Sequence, residues 1–158
     1  KVIISSTSPH WVLQRKLDAF EKRGGAQARK LTEDFWTHPD RDTFQAYWDG
    51  ARELYNTRPP ADPDAGERAT FNLDILLHFA GGEIRTMQLA PGLKRAQCPV
   101  LVMTGEEDPI CPPGDADDIV AALPPHLVQF AKFPRVGHGA WRDDADAAFA
   151  VLRRFITQ

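Results

Sequence analysis

The sequence is poor in cysteine, has no long apolar run, no block of like charge and no repeated unit, and each shortage removes a class of protein. Two cysteines in 158 residues, Cys98 and Cys111, are too few for a disulfide framework, so a reducing, cytoplasmic setting is expected. No stretch nears the roughly 20 apolar residues that a spanning helix needs, and the opening KVIISSTSPHW is too short in apolar residues for a secretory leader, so no membrane partner is expected. The net charge is −3, with the 26% of charged residues scattered along the chain. Nothing resembles a phosphate-tracking surface, and nucleic acid is not expected as a partner. His10, His38, His78 and His126 show no metal-ligand spacing, so neither a metal nor any other cofactor is expected.

What remains is 42% hydrophobic, enough for one domain with a real core or a sub-domain plus part of a second. The periodicity divides the chain in three. Residues 1–8 begin with KVIISS, a β-branched run that reads as an internal strand whose neighbours lie elsewhere. Residues 9–90 read as helical. Leu13, Leu17 and Phe20 recur at helical spacing before KRGG ends that helix; Ala28, Leu31 and Phe35 mark a second, ending near THPD. Phe44, Tyr47 or Trp48, Ala51 and Leu54 or Tyr55 mark a third, capped by Asp40 or Asp42. TRPPADPDAGERAT is an irregular connection, and FNLDILLHFAGG resumes a helix with Asn72 as its cap and Leu73, Leu76, Leu77 and Ala80 on one side.

In residues 91–158 the period changes. VLVMT is a continuous apolar run bounded by Pro99 and Gly105, the pattern of a parallel strand buried on both faces. GDADDIVAAL is a helix, LVQFAKF a strand, and RDDADAAFAVLRRFITQ a helix with Phe149, Leu152 and Ile156 as its apolar stripe. Strand, helix, strand, helix predicts a parallel α/β sheet with an all-helical insertion.

Functional groups of open parallel sheets gather just past the carboxyl ends of the strands. Asp108 follows Gly105 by three residues, and His138 follows Phe133 by five. A carboxylate and an imidazole there can orient a base, fix its tautomer and stabilise the imidazolium it forms. In RVGHGAW, glycines flank His138 on both sides; they let the backbone bend sharply and keep the ring clear of neighbouring side chains.

PVLVMTGEEDPICPP, followed by FPRVGHGAW and a closing amphipathic helix, resembles the last two strand–loop units of the α/β-hydrolase superfamily. The resemblance implies that Asp108 is the acid and His138 the base of a catalytic triad, that KVIISSTSP is the strand after the nucleophile-bearing helix, and that residues 9–90 are the helical cap. The stretches FEKRGG, FWTHPDRDTFQAYWDGARELYNTRP and NLDILLHFAGGE most resemble proline iminopeptidase-like hydrolases. In aminopeptidases of that group an acidic residue stands two places before a His–aromatic pair. Here the pair is His78–Phe79 and that place holds Leu76, which leaves Glu83 or Glu53 to supply a carboxylate. Trp36, Trp48 and Phe71, with Glu83, are the substrate-binding candidates, because a cap roofs the cleft and excludes water.

The motif G-x-S-x-G does not occur. The resemblance therefore implies a partner, the N-terminal half of the same hydrolase, carrying the nucleophile on a separate chain or cleaved segment. The expected reaction is cleavage of a small ester or amide, or of an N-terminal prolyl bond in a short peptide, through a Ser-His-Asp triad. An aspartate nucleophile would give dehalogenase or epoxide-hydrolase chemistry on the same fold, and a non-catalytic partner fragment is the reading from another class. For Ser5, Ser6 and Thr7 a turn-forming role outweighs a catalytic one, and Cys111, in ICPP, has no strained elbow or helix terminus to activate it as a nucleophile.

Overall fold

The computed structural model describes residues 1–60, 62, 64 and 68–158. Its frame is a parallel sheet of three strands, β1 (Val2–Ser5), β2 (Val100–Gly105) and β3 (Val128–Phe133), in the order β1-β2-β3. Val2 pairs with Val100 and Ser5 with Met103; Val100 pairs with Val128 and Gly105 with Phe133. All six residues of β2 are buried, which is why VLVMT reads as continuously apolar. Strand alternation then sends Leu101 and Met103 to one face and Val100 and Val102 to the other.

Each face is covered by a helix that follows a strand. Ala116 and Ile119 of α6 (Pro113–Ala122) pack on Val100 and Val102. Ala148 and Phe155 of α8 (Ala145–Thr157) pack on Leu101 and Met103, with Val151 and Leu152 beside them. This corrects the predicted stripe: Phe149 and Ile156 are 46% and 59% exposed. The apolar residues of α8 span more of its circumference than the sheet covers, and the small Ala148 is what lets the helix approach. The short α7 (Ala140–Asp143) precedes α8, and Asp144 caps α8 by accepting from the Ala147 amide.

The insertion between β1 and β2 is helical: α1 (Leu13–Thr37), α2 (Arg41–Ala51), a 3-10 turn (Arg52–Tyr55), α3 (Leu73–Gly81), α4 (Glu83–Thr86) and α5 (Ala90–Leu93). The break predicted at KRGG is present: Gly25, at φ 70°, is non-helical, and two helices meet there at a kink. Asp40 caps α2 through a capping box, accepting from the Thr43 amide at 2.8 Å while its own amide donates to Thr43 Oγ1 at 3.0 Å. Asn72 Oδ1 caps α3 by accepting from the Ile75 amide at 3.2 Å. Part of the expected connection TRPPADPDAGERAT lies outside the described residues.

Phe20, Phe35, Trp36, Phe44 and Tyr47 form the centre of the helical part, with Trp48 and Tyr55 packed against it. The insertion is fastened to the sheet layer by Ser8 and Arg15, both bonded to Asp115 of α6, and by His10, 3.2 Å from Asp118. Among the described residues no helix is long and apolar enough to cross a membrane.

Candidate active site

The loops after β2 and β3 meet because the strands are adjacent and in register. Glu106 N donates to the Phe133 carbonyl at 3.0 Å and Glu107 N to the Val136 carbonyl at 2.9 Å, so the two loops are paired backbone to backbone. Gly105 makes this possible: a Cβ there would overlap the carbonyls of Val136 and Gly137. Across this junction His138 Nδ1 lies 2.9 Å from Asp108 Oδ2 and 3.2 Å from Oδ1.

The Asp108 side chain is fully buried, and that of His138 is 30% exposed. Asp108 Oδ1 also accepts from the amides of Ile110 at 2.8 Å and Cys111 at 2.9 Å. An ionised carboxylate only accepts hydrogen bonds. A neutral His138 bonded to such a carboxylate carries its proton on Nδ1, which leaves the Nε2 lone pair free.

The flanking glycines have two distinct causes. Gly139 takes φ 82°, which a side chain would strain. Gly137 instead permits close approach, since a Cβ there would overlap the Tyr55 carbonyl. The expectation that they keep the ring clear of neighbours is corrected: the Tyr55 ring meets the His138 ring edge-on at 6.4 Å.

The other candidate residues fall at different distances from the pair. Trp48 packs edge-on against Tyr55 at 6.2 Å and so stands one ring removed from His138. With Tyr55, Asn56 and Arg142 it lines a cleft of about 680 Å³. Phe71 is exposed and stacks on Trp48 and Phe44. Trp36 is a core residue, 8% exposed, packed against Trp11, Phe35 and Tyr47. Glu83 is exposed at the start of α4, beyond the aromatic core, and no hydrogen bond or ion pair among the described residues ties it to the pair. A second cleft, about 440 Å³, runs beside Asp108, between Lys22 and Arg23 of α1 and Glu106 and Glu107.

Burial pushes the Cys111 thiol up to about 11, so it remains a thiol at neutral pH and is no rival nucleophile. Burial likewise pushes the Tyr55 hydroxyl up to about 12; it donates to Tyr47 Oη at 2.8 Å, away from chemistry. Lys16 is buried between the rings of Trp11 and Trp36 and donates to the carbonyl of Ile110, two residues past Asp108. Desolvation lowers its pKa. Lys16, Ser6, Asn56, Thr57 and Asp143 all touch the loops of the pair, and no periodic or motif signal in the sequence points to them.

No protein-family model and no curated protein matches the sequence. Solved structures do match. An alpha/beta fold family hydrolase from Bacillus anthracis str. Sterne aligns over 96% of this chain with a TM-score of 0.63 at 11% identity. The fold is that of an α/β-hydrolase. An esterase from Exiguobacterium antarcticum aligns over 90% of the chain, with a TM-score of 0.57 and 18% identity. A 2-hydroxy-6-oxo-6-phenylhexa-2,4-dienoate hydrolase from Rhodococcus sp. strain RHA1 aligns over all of it, with a TM-score of 0.55 and 19% identity. The chain spans about half the length of these structures, 56%, 48% and 55% respectively.

Proposed function

We propose that this chain supplies the acid and the base of a serine hydrolase, and that its nucleophile belongs to an N-terminal half outside the residues described. The observation that carries the reading is the 2.9 Å contact between His138 Nδ1 and the buried carboxylate of Asp108 at the tips of adjacent parallel strands. In this scheme a serine hydroxyl attacks the carbonyl carbon of a small ester or amide. His138 Nε2 takes the hydroxyl proton and returns it to the departing alcohol or amine, leaving an acyl-enzyme. Water then attacks the acyl carbon and gives a proton to Nε2, which passes it to the serine oxygen as the acid departs. Asp108 holds the ring and stabilises the imidazolium in both halves.

An N-terminal half would have a natural seat. Strand β1 is the outer strand of the described sheet on its side, with Val2 and Ile3 exposed, and an unpaired parallel edge is a template for another strand. The helical insertion acts as a cap over the cleft, with Trp48 and Phe71 its apolar candidates for substrate contact. Short peptides with an N-terminal proline are included among the amide substrates, Glu83 or Glu53 offering a carboxylate to the amine. Two free thiols, Cys98 and Cys111, fit a reducing, cytoplasmic compartment.

Co-expressing the chain with the N-terminal half and assaying p-nitrophenyl esters and prolyl amides tests the reading. Hydrolysis by the pair, falling by about 10³-fold or more in His138→Ala, is the expected result. Activity that survives His138→Ala overturns it.

A further inference from the structure

Three consecutive backbone N–H groups of the base loop each have an acceptor of their own. Gly137 N donates to Asp143 Oδ2 at 2.7 Å, His138 N to the Tyr55 carbonyl at 2.7 Å, and Gly139 N to Ser6 Oγ at 3.0 Å. The His138 carbonyl accepts from Asn56 Nδ2 at 2.8 Å. These partners come from three separate parts of the chain: α7, the end of the 3-10 turn, and the residue after β1. Four bonds to three residues fix both the place and the tilt of the loop, whereas an exposed N–H could bond water at little net cost.

Asp143 is the costly member. It is 3% exposed, no cation pairs with it among the described residues, and its Oδ1 is buried without a hydrogen-bond partner. Burying a carboxylate in that way costs several kcal/mol unless other bonds offset it. Its Oδ2 accepts from Gly137 N at 2.7 Å and Thr57 N at 2.9 Å, and the Thr57 hydroxyl shares its one proton between that oxygen, at 2.9 Å, and the Arg135 carbonyl, at 2.7 Å. One oxygen therefore ties the loop that carries His138 to the segment that holds the His138 backbone. That segment is held in turn by Arg23, which donates to the carbonyls of Leu54 at 2.6 Å and Asn56 at 2.8 Å and pairs with Glu107, next to Asp108, at 2.9 Å.

We propose that Asp143 and Asn56 are positioning residues that clamp residues 137–139 between α7 and residues 55–57, so that Nδ1 meets Asp108 and Nε2 keeps one direction. The proposal rests on the reading of Asp108 and His138 as acid and base. It gives the helical insertion a part in aligning the base, besides roofing a cleft.

The test uses the assembled enzyme with Asp143→Ala, Asp143→Asn and Asn56→Ala, followed by kcat, KM, thermal midpoint and the ring Nδ1–H resonance of His138 in histidine-labelled protein. Asp143→Ala and Asn56→Ala are expected to lower kcat by about 10- to 100-fold, as a misplaced base does. KM should stay unchanged and the downfield Nδ1–H resonance should be lost. Asp143→Asn, which keeps an acceptor oxygen of the same shape, should retain most of kcat and the resonance. If Asp143→Ala does not fold, Asn56→Ala carries the same test at a less buried position. Variants that lose only thermal midpoint, with kcat and the resonance unchanged well below unfolding, overturn the clamp. Activity persisting in His138→Ala would overturn the functional reading instead, and the Nδ1–H resonance would still report on the clamp.

Discussion

The helical insertion and the loops around His138 are built in opposite ways. The insertion is held by aromatic packing: Phe35 stacks on Tyr47 at 5.1 Å and meets Phe44 edge-on at 5.5 Å, and Phe20 meets Tyr47 at 5.7 Å. The loops anchor Val136 in the core but are also fixed by directed bonds and by glycines that admit close backbone approach. Packing is non-directional and tolerates small shifts, whereas hydrogen bonds fix angles. The insertion thus rests mainly on packing, and the loops around His138 add bonds that fix direction.

The sharpest way to break this division is at the pair itself. Asp108→Asn leaves the packing intact but favours the wrong tautomer of His138, and the assembled enzyme should lose about 10⁴-fold in kcat with its unfolding midpoint little changed. A large loss of stability with little loss of activity would contradict the division. Phe35→Ala should do the reverse. Phe35 is fully buried, so truncation should cost about 3–5 kcal/mol in urea denaturation, with kcat unchanged in whatever remains folded. Gly137→Ala should disturb both properties. The added methyl overlaps the Tyr55 carbonyl, and a loss of about 1–3 kcal/mol should accompany a fall in kcat; a stable, active variant would show that close approach is not required.

The smallest expected effect is confined to alkaline pH. The Cys111 thiol is raised from its ordinary 9.0 to about 11, so the unfolded chain loses that proton first. The contribution is fully present below about pH 9 and is lost as pH rises through about 11. Cys111→Ala should flatten that part of the stability–pH curve, with Cys98→Ala as the control.

Local periodicity and the ends of strands make a large part of the fold legible in the sequence. VLVMT and LVQFAKF are strands because apolar runs bounded by Pro, Gly and turns have few alternatives, and Asp40 and Asn72 are caps because short polar side chains precede apolar helices. Asp108 and His138 can be paired because adjacent parallel strands bring their following loops together. The apolar stripe of α8 is harder to place, because apolar residues surround much of that helix and the sheet buries Ala148 and Phe155 rather than Phe149 and Ile156. Trp36 reads more readily as a helix-packing residue than as a cleft residue, and it is indeed packed in the helical core. The bonds of Ser6, Asn56 and Asp143 to the base loop span 133, 82 and 6 residues. No periodicity records such pairings, and in the sequence each of these residues looks like an ordinary turn polar group.

As proposed, Asp108 and His138 activate a serine held by an N-terminal half. A fluorophosphonate probe tests this most directly, because phosphonylation needs an activated hydroxyl and leaves a covalent adduct that mass spectrometry can place. One adduct is expected, on a serine of the N-terminal half, formed far more slowly when this chain carries His138→Ala. An adduct on this chain, or labelling at an unchanged rate in His138→Ala, would contradict it.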